Sequence, residues 1–220
     1  MKAKLLIIVN VFLSCCFYAQ DSIKIQEYKP GIITFSAQNT NGIAFGIMDD
    51  YQSGQKINGI NLQANPISLI YPLLPKALPV PSEEKATVTV NGLHISTGGM
   101  MDGNKLNGVG ISIYHHARVT NGFSFSFYNN TSGVLNGLHV SWLNNDAETG
   151  NGVLIAMANS AENFNGIQVG GANKNLEGKG LQVGVFNKGD NFRGVQIGLW
   201  NVNGKRKLPL INWNFKNKKL

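Results

Sequence analysis

Cysteine is confined to Cys15 and Cys16. A chain cleaved beyond them has no disulfide and no thiol chemistry, so packing and backbone hydrogen bonds must hold it together. Charged residues are sparse, at 14% of the chain. No long apolar run follows the first residues: Ile67 to Leu74 is broken by Pro72 and followed by Pro75, which excludes a transmembrane helix there. The G-x-S-x-G, G-x-x-x-x-G-K-[ST], H-E-x-x-H and calcium-loop signatures are all missing, and with them the chemistries they carry. Of the four histidines, His115 and His116 are adjacent. On a strand they point to opposite faces and cannot grip one metal together, and zinc needs three or four converging ligands. The acidic pairs Asp49-Asp50 and Glu83-Glu84 fall in turns, and Asp102, Asp146, Glu148 and Glu162 in linkers. None supplies the two carboxylates across a cleft that glycoside hydrolysis requires. The expectation is a non-enzyme with no catalytic, cofactor-binding or metal residue and no cofactor.

Residues 1–19 read as a secretory signal peptide. Lys2 and Lys4 precede a short apolar stretch from Leu5 to Phe12, too short for a stable anchor. Cleavage after Ala19 leaves Gln20 first. The alternative is a lipobox at Leu13-Ser14-Cys15-Cys16, with Cys16 or Cys15 lipidated. The expected location is the outer membrane or cell surface, with the periplasm as alternative.

What the chain has in abundance is glycine, 26 residues, and asparagine, placed at a fixed period. Gly137, Gly152, Gly166, Gly180 and Gly194 open GLHVSWLN, GVLIAMAN, GIQVGGAN, GLQVGVFN and GVQIGLWN. Gly122 opens GFSFSFYN, and weaker copies begin at Gly108, Gly92, Gly59 and Gly42. From Gly92 the spacings are 16, 14, 15, 15, 14, 14 and 14 residues. A fixed period means one structural unit built many times.

With glycine as position zero, positions one, three and five are large and apolar, as in Leu181, Val183 and Val185. Positions two and four are small or polar, as in Gln182 and Gly184. This period of two predicts a half-buried strand with its apolar face toward a core and its polar face outward. Position seven is Asn129, Asn144, Asn159, Asn173, Asn187 and Asn201, and an asparagine precedes the opening glycine in eight copies. Asparagine and Asn-Gly mark corners, so each strand is bracketed by turns.

Two architectures fit. In a β-solenoid each unit of about 14 residues is one coil, and like residues stack at about 4.8 Å. In an antiparallel meander or barrel each unit is a strand plus a loop, but the loops are longer than hairpins favour. A membrane barrel needs strands of about 9–11 residues, longer than these. The fold expectation is all-β, a single repetitive domain resembling a β-solenoid, with the antiparallel meander or barrel as alternative. Its organisation is a signal peptide (1–19), an N-terminal β segment with the first copies (20–60), a proline-rich insertion (61–90), the repeats (91–203) and a basic C-terminal cap (204–220).

Charge is uneven. Residues 174–220 hold ten Lys/Arg against Glu177 and Asp190, whereas 20–173 hold seven against ten acids. A basic end suits anionic lipid or polysaccharide, or a solvated cap; export argues against nucleic acid. Gln168, Gln182 and Gln196 on the polar face, and Tyr128, Phe186 and Trp200 at position six, are the candidate exposed interaction residues.

The units GIQVGGAN, GLQVGVFN and GVQIGLWN resemble the GLQIGLxN units of Gram-negative bacterial surface-repeat proteins, and the ending GLWNVNGKRKLPLINW is similar to the end of members of that family. The resemblance covers roughly 90–215 and is strongest from 165. It implies an exported, surface-associated protein and brings no catalytic or binding residues with it. A 14-residue coil is also similar, in period only, to the β-roll heads of trimeric autotransporter adhesins. The functional expectation is a non-catalytic envelope or surface protein with a structural or adhesive role. Its partner would be polysaccharide, lipid or protein of the envelope or a host surface, with membrane association among the options. The alternatives are an outer-membrane barrel acting as channel or anchor and, behind it, a polysaccharide-acting enzyme.

Overall fold

The computed structural model describes residues 33–35, 39–47, 54–66, 88–98 and 104–216. The leader with Cys15 and Cys16, both acidic pairs, Asp102 and most of the proline-rich insertion lie outside the described residues.

The chain is a parallel β-solenoid. Its strands are β1 (Ile33–Phe35), β2 (Asn39–Ile47), β3 (Gln55–Ala64), β4 (Val88–Ser96), β5 (Lys105–Ser112), β6 (His115–Ser126), β7 (Asn129–Ser141), β8 (Asn144–Ile155), β9 (Ala158–Asn203) and β10 (Arg206–Asn214). They lie in sequence order in one sheet. Pairing is parallel from β1 through β9, which overturns the meander and the barrel, both of which require antiparallel neighbours. β9 runs for 46 residues through several coils and their corners. The register places Gly42, Gly59, Gly92, Gly108, Gly122, Gly137, Gly152 and Gly166 one above another. β3 reaches Ala64 and β4 begins at Val88, so the repeat occupies both ends of the 61–90 segment.

The glycine column has a steric cause. Each member holds φ between 120° and 144°, a region that side chains rarely enter. A Cβ on Gly180 or Gly194 would lie 1.9 Å from the carbonyl oxygen of the glycine one coil below. The asparagines just before these glycines form a ladder along the border of the strand. Asn58, Asn91, Asn107, Asn121, Asn136, Asn151 and Asn165 each donate from Nδ2 to the Oδ1 of the asparagine one coil earlier, at 2.8–3.3 Å.

The strand faces the opposite way from the sequence expectation. The polar positions point in and the apolar positions point out. Gln168, Gln182 and Gln196 are 0–1% exposed, so they are not surface interaction residues. They stack in one interior column, with Gln196 donating to Gln182 and Gln182 to Gln168, each at 2.7 Å. The column continues upstream through Leu154, His139, Ser124, Gly110, His94, Asn61 and Ala44. So short a coil is too thin for a layer of leucines from each side. Gln168 and Gln196 instead cross it and donate to backbone carbonyls of the return segment, Lys174 O and Val202 O.

A second interior ladder turns the first corner. Asn145, Asn159, Asn173 and Asn187 donate to Asn159, Asn173, Asn187 and Asn201, at 2.7–2.9 Å. The same amide groups also donate to Ile155, Val169, Val183 and Ile197 carbonyls at 2.9–3.0 Å. In the two 15-residue units, opened by Gly122 and Gly137, the ladder member is Asn130 or Asn145. Asn129 and Asn144, which counting from the glycine places in this column, sit one place before it, because the extra residue enters at the corner. At the other corner Asn175 and Asn203 donate to Phe164 O and Phe192 O at 2.8 Å. Small residues at position four make room: a Cβ on Gly198 would lie 2.6 Å from Asn187 Nδ2.

The remaining interior mixes apolar side chains with buried hydroxyls such as Thr40, Thr120 and Ser132. Ile57, Val90, Leu106, Leu135, Phe164 and Phe192 fill the position two residues before the glycines, and Ala117, Ala147 and Ala161 line the return segment. Arg118 pairs with Glu148 across two coils. β10 closes the last coil by antiparallel pairing, Asn212 opposite Gln196 and Trp213 opposite Val195, with the register shifting around Pro209. A proline-interrupted edge blunts further strand addition.

Gly180→Ala will destabilise the fold by about 3 kcal/mol or more, through backbone strain and steric overlap. Gly54→Ala (φ 81°, nothing within 4 Å) will cost about 1 kcal/mol. Urea unfolding reads both. Asn187→Leu will cost about 2–4 kcal/mol by leaving buried ladder groups unpaired, whereas Asn129→Ala will stay within about 1 kcal/mol. Equal losses at 187 and 129 would refute the register.

Candidate functional site

The outward half of each strand forms the candidate site. Position one runs from Ile43 through Ile60, Leu93 and Phe123 to Leu181 and Val195, and position three from Phe45 to Ile197. β10 continues the face with Ile211 and Trp213. Stacked neighbours shield the sides of these side chains but not their tips: Val185 is 41% exposed and Leu199 65%. From the Gly42 strand to the Gly194 strand the face runs about 43 Å at about 4.8 Å per strand and is about 13 Å wide, on the order of 500 Å². That is the size of the largest apolar patch on a typical monomer, which is often a functional one.

Aromatic side chains edge the face. Phe186 is 59% exposed and Trp200 44%, while Tyr128 is half-buried. Phe127 and Trp142 are also open to solvent, and Phe127 stacks edge-on against Phe125 at 5.4 Å. The parity of Phe127 and Trp142 in the sequence predicts core positions. The alternation holds and the side is reversed.

Along the opposite border, Lys179 and Arg193 occupy the positions immediately before Gly180 and Gly194, taking over the place held by asparagine up to Asn165. With Glu177, Asn163, Asn165 and Asn191 they line a shallow recess of about 280 Å³. Lys174, Lys188, Lys205 and Lys207 are exposed in the same coils, and Arg206 lies 5.6 Å over the Trp213 ring. Lys179 and Arg193 therefore border the apolar face, with Glu177 beside them.

All four histidines are buried, and His94, His115 and His139 form hydrogen bonds inside the solenoid. His94 Nδ1 accepts from Asn61 Nδ2 at 3.0 Å, His139 Nδ1 lies 2.8 Å from Ser124 Oγ, and His115 Nε2 lies 2.9 Å from Thr120 Oγ1. His115 reaches from the return segment into the space above Gly110, where a Cβ would lie 3.3 Å from its Cε1. With Leu106, whose Cδ2 would lie 2.7 Å from that Cβ, it fills the gap that glycine leaves in the column. Among the described residues, His94 Nε2, His139 Nε2 and His115 Nδ1 have no hydrogen-bond partner, and no group of three His, Cys, Asp or Glu is placed to hold a metal. Burial pushes His94 and His139 down to about 4, and holds His115 well below its ordinary value, aided by its histidine neighbours. Burial raises the Asp146 carboxyl.

The histidines work against the fold in acid. Between about pH 6.5 and 4 the unfolded chain binds protons at these sites and the folded chain does not, so stability falls as pH drops through that window. His94 and His139 each account for about 3 kcal/mol. Asp146 acts in the opposite sense: burial raises its carboxyl, so it adds stability as pH falls from that raised value toward its ordinary one, at the acid end of the histidine window. The melting temperature will be flat above about pH 7 and fall steeply toward pH 4, and His139→Gln, which matches the residue used at 168, 182 and 196, will flatten that fall. A profile unchanged by the substitution would show that His139 is not buried neutral.

No family model matches the chain, and no curated protein or solved structure matches it significantly.

Proposed function

We propose that the chain is a non-catalytic, exported envelope protein whose solenoid presents a flat apolar surface for docking. The observation that carries this reading is the outward apolar face with its aromatic and basic borders. Among the described residues, the histidines and most of the repeat amides lie inside, and the amides form ladders that hold the coils together. His94, His115 and His139 are enclosed, and the glutamines bond one another and the backbone. What remains at the surface is suited to contact over area rather than to bond making. The leader-like residues 1–19 and the resemblance to Gram-negative surface-repeat proteins support export, and the slender, end-capped solenoid suits a structural or adhesive part.

The test is cellular. An epitope-tagged chain in its native cells will fractionate with the envelope and be cut by protease added to intact cells. The processed form will start at Gln20, or carry lipid on Cys16 or Cys15, by intact mass. Recovery in the cytosol with residues 1–19 still attached would overturn the reading.

A further inference from the structure

We infer that the apolar face is a membrane-docking surface that lies on an anionic lipid bilayer, with the C-terminal coils as the end that engages headgroups. The inference rests on the envelope reading above and names the partner. Three features of the face fit a bilayer surface. First, Val185, Ile197 and Leu199 point outward from a flat sheet, so their tips can enter the acyl boundary together without any backbone group losing its ladder partner. Second, Phe186 and Trp200 are exposed where the apolar stripe meets polar surface, and Trp213 is exposed on the terminal strand, and aromatic side chains favour the headgroup region. Third, the border of the stripe changes chemistry along the solenoid. An amide ladder runs from Asn41 to Asn165, and Lys179 and Arg193 then take the same position beside the stripe. Cations beside an apolar face complement anionic headgroups.

A second copy of the chain is the competing occupant. Pairing two such faces about a two-fold axis sets the basic coils of one copy against uncharged amide borders of the other, with no acidic patch among the described residues of that border to receive them. Charge complementarity therefore favours lipid over self-association.

Vesicle flotation decides between them. The full-length chain is mixed with vesicles of phosphatidylcholine alone and of phosphatidylcholine containing about one-third phosphatidylglycerol. The expected result is at least roughly tenfold more protein floating with the anionic vesicles at low salt, falling as salt is raised. The Val185→Glu/Leu199→Glu double variant, altered at exposed positions and carrying the same N-terminal leader, will lose most of that binding. Lys179→Gln/Arg193→Gln will erase the preference for anionic lipid while keeping the wild-type circular dichroism. Equal flotation of wild type and the glutamate variant, or no flotation of wild type, would overturn the inference. So would light scattering that shows a wild-type dimer which the glutamate variant dissolves. A chain found in the envelope that fails to float would sink this inference and leave the envelope reading standing.

Discussion

The structure depends on one interaction, the hydrogen bond between identical side-chain amides stacked one coil apart. In a parallel stack each asparagine or glutamine has its own copy above and below at the strand spacing, so its donor meets an acceptor of the right geometry in the next coil. The usual cost of burying an amide is thereby offset along the column. Asn159, Asn173 and Asn187 go further and bind the backbone carbonyl of the following strand with the same nitrogen. The interior can then be polar, and a short coil can close around a core only one side chain deep.

That constraint propagates outward. Stacking in register demands that each strand lie directly on the last, and the close approach at the corner leaves no space for a Cβ at Gly166, Gly180 or Gly194. With amides and histidines at the inward positions after the glycine, the large apolar side chains that alternate with them have only the outer face, while those two residues before the glycine, such as Leu135 and Phe164, stay inside. The same packing that makes the solenoid slender thus gives it an apolar exterior, and the surface that needs a partner is a direct product of the interior that holds the fold.

Much of the architecture is legible in the residues. The spacing of Gly137 to Gly194, the period of two in GLQVGVFN and the asparagine corners specify short strands repeated in one unit. They also indicate columns of like residues, Gln168 on Gln182 on Gln196. The candidate site is legible in part. Phe186 and Trp200 stand at its border, but the alternation puts Gln168, Gln182 and Gln196 on the surface and they lie inside. The corner asparagines of the longer units fall one place from the counted position, since counting from the glycine cannot show whether an extra residue enters before or after Asn129 or Asn144. The histidine cluster gives no signal at all. His115 is distant in sequence from His94 and His139 and reaches them only because Gly110 leaves a gap.

The sequence by itself determined that the strand has two chemically different faces, that it recurs at a nearly constant period, and that glycine and asparagine stand at its corners. Only the tertiary structure decided which face is inside. Alternation is symmetric under turning a strand over, and the hydrophobic preference for a leucine core assumes a core wide enough to hold one. Here parallel stacking lets the amides after the glycine satisfy one another inside, so along that stretch the preference is reversed, while Leu106, Leu135 and Phe164 keep it two residues before the glycine.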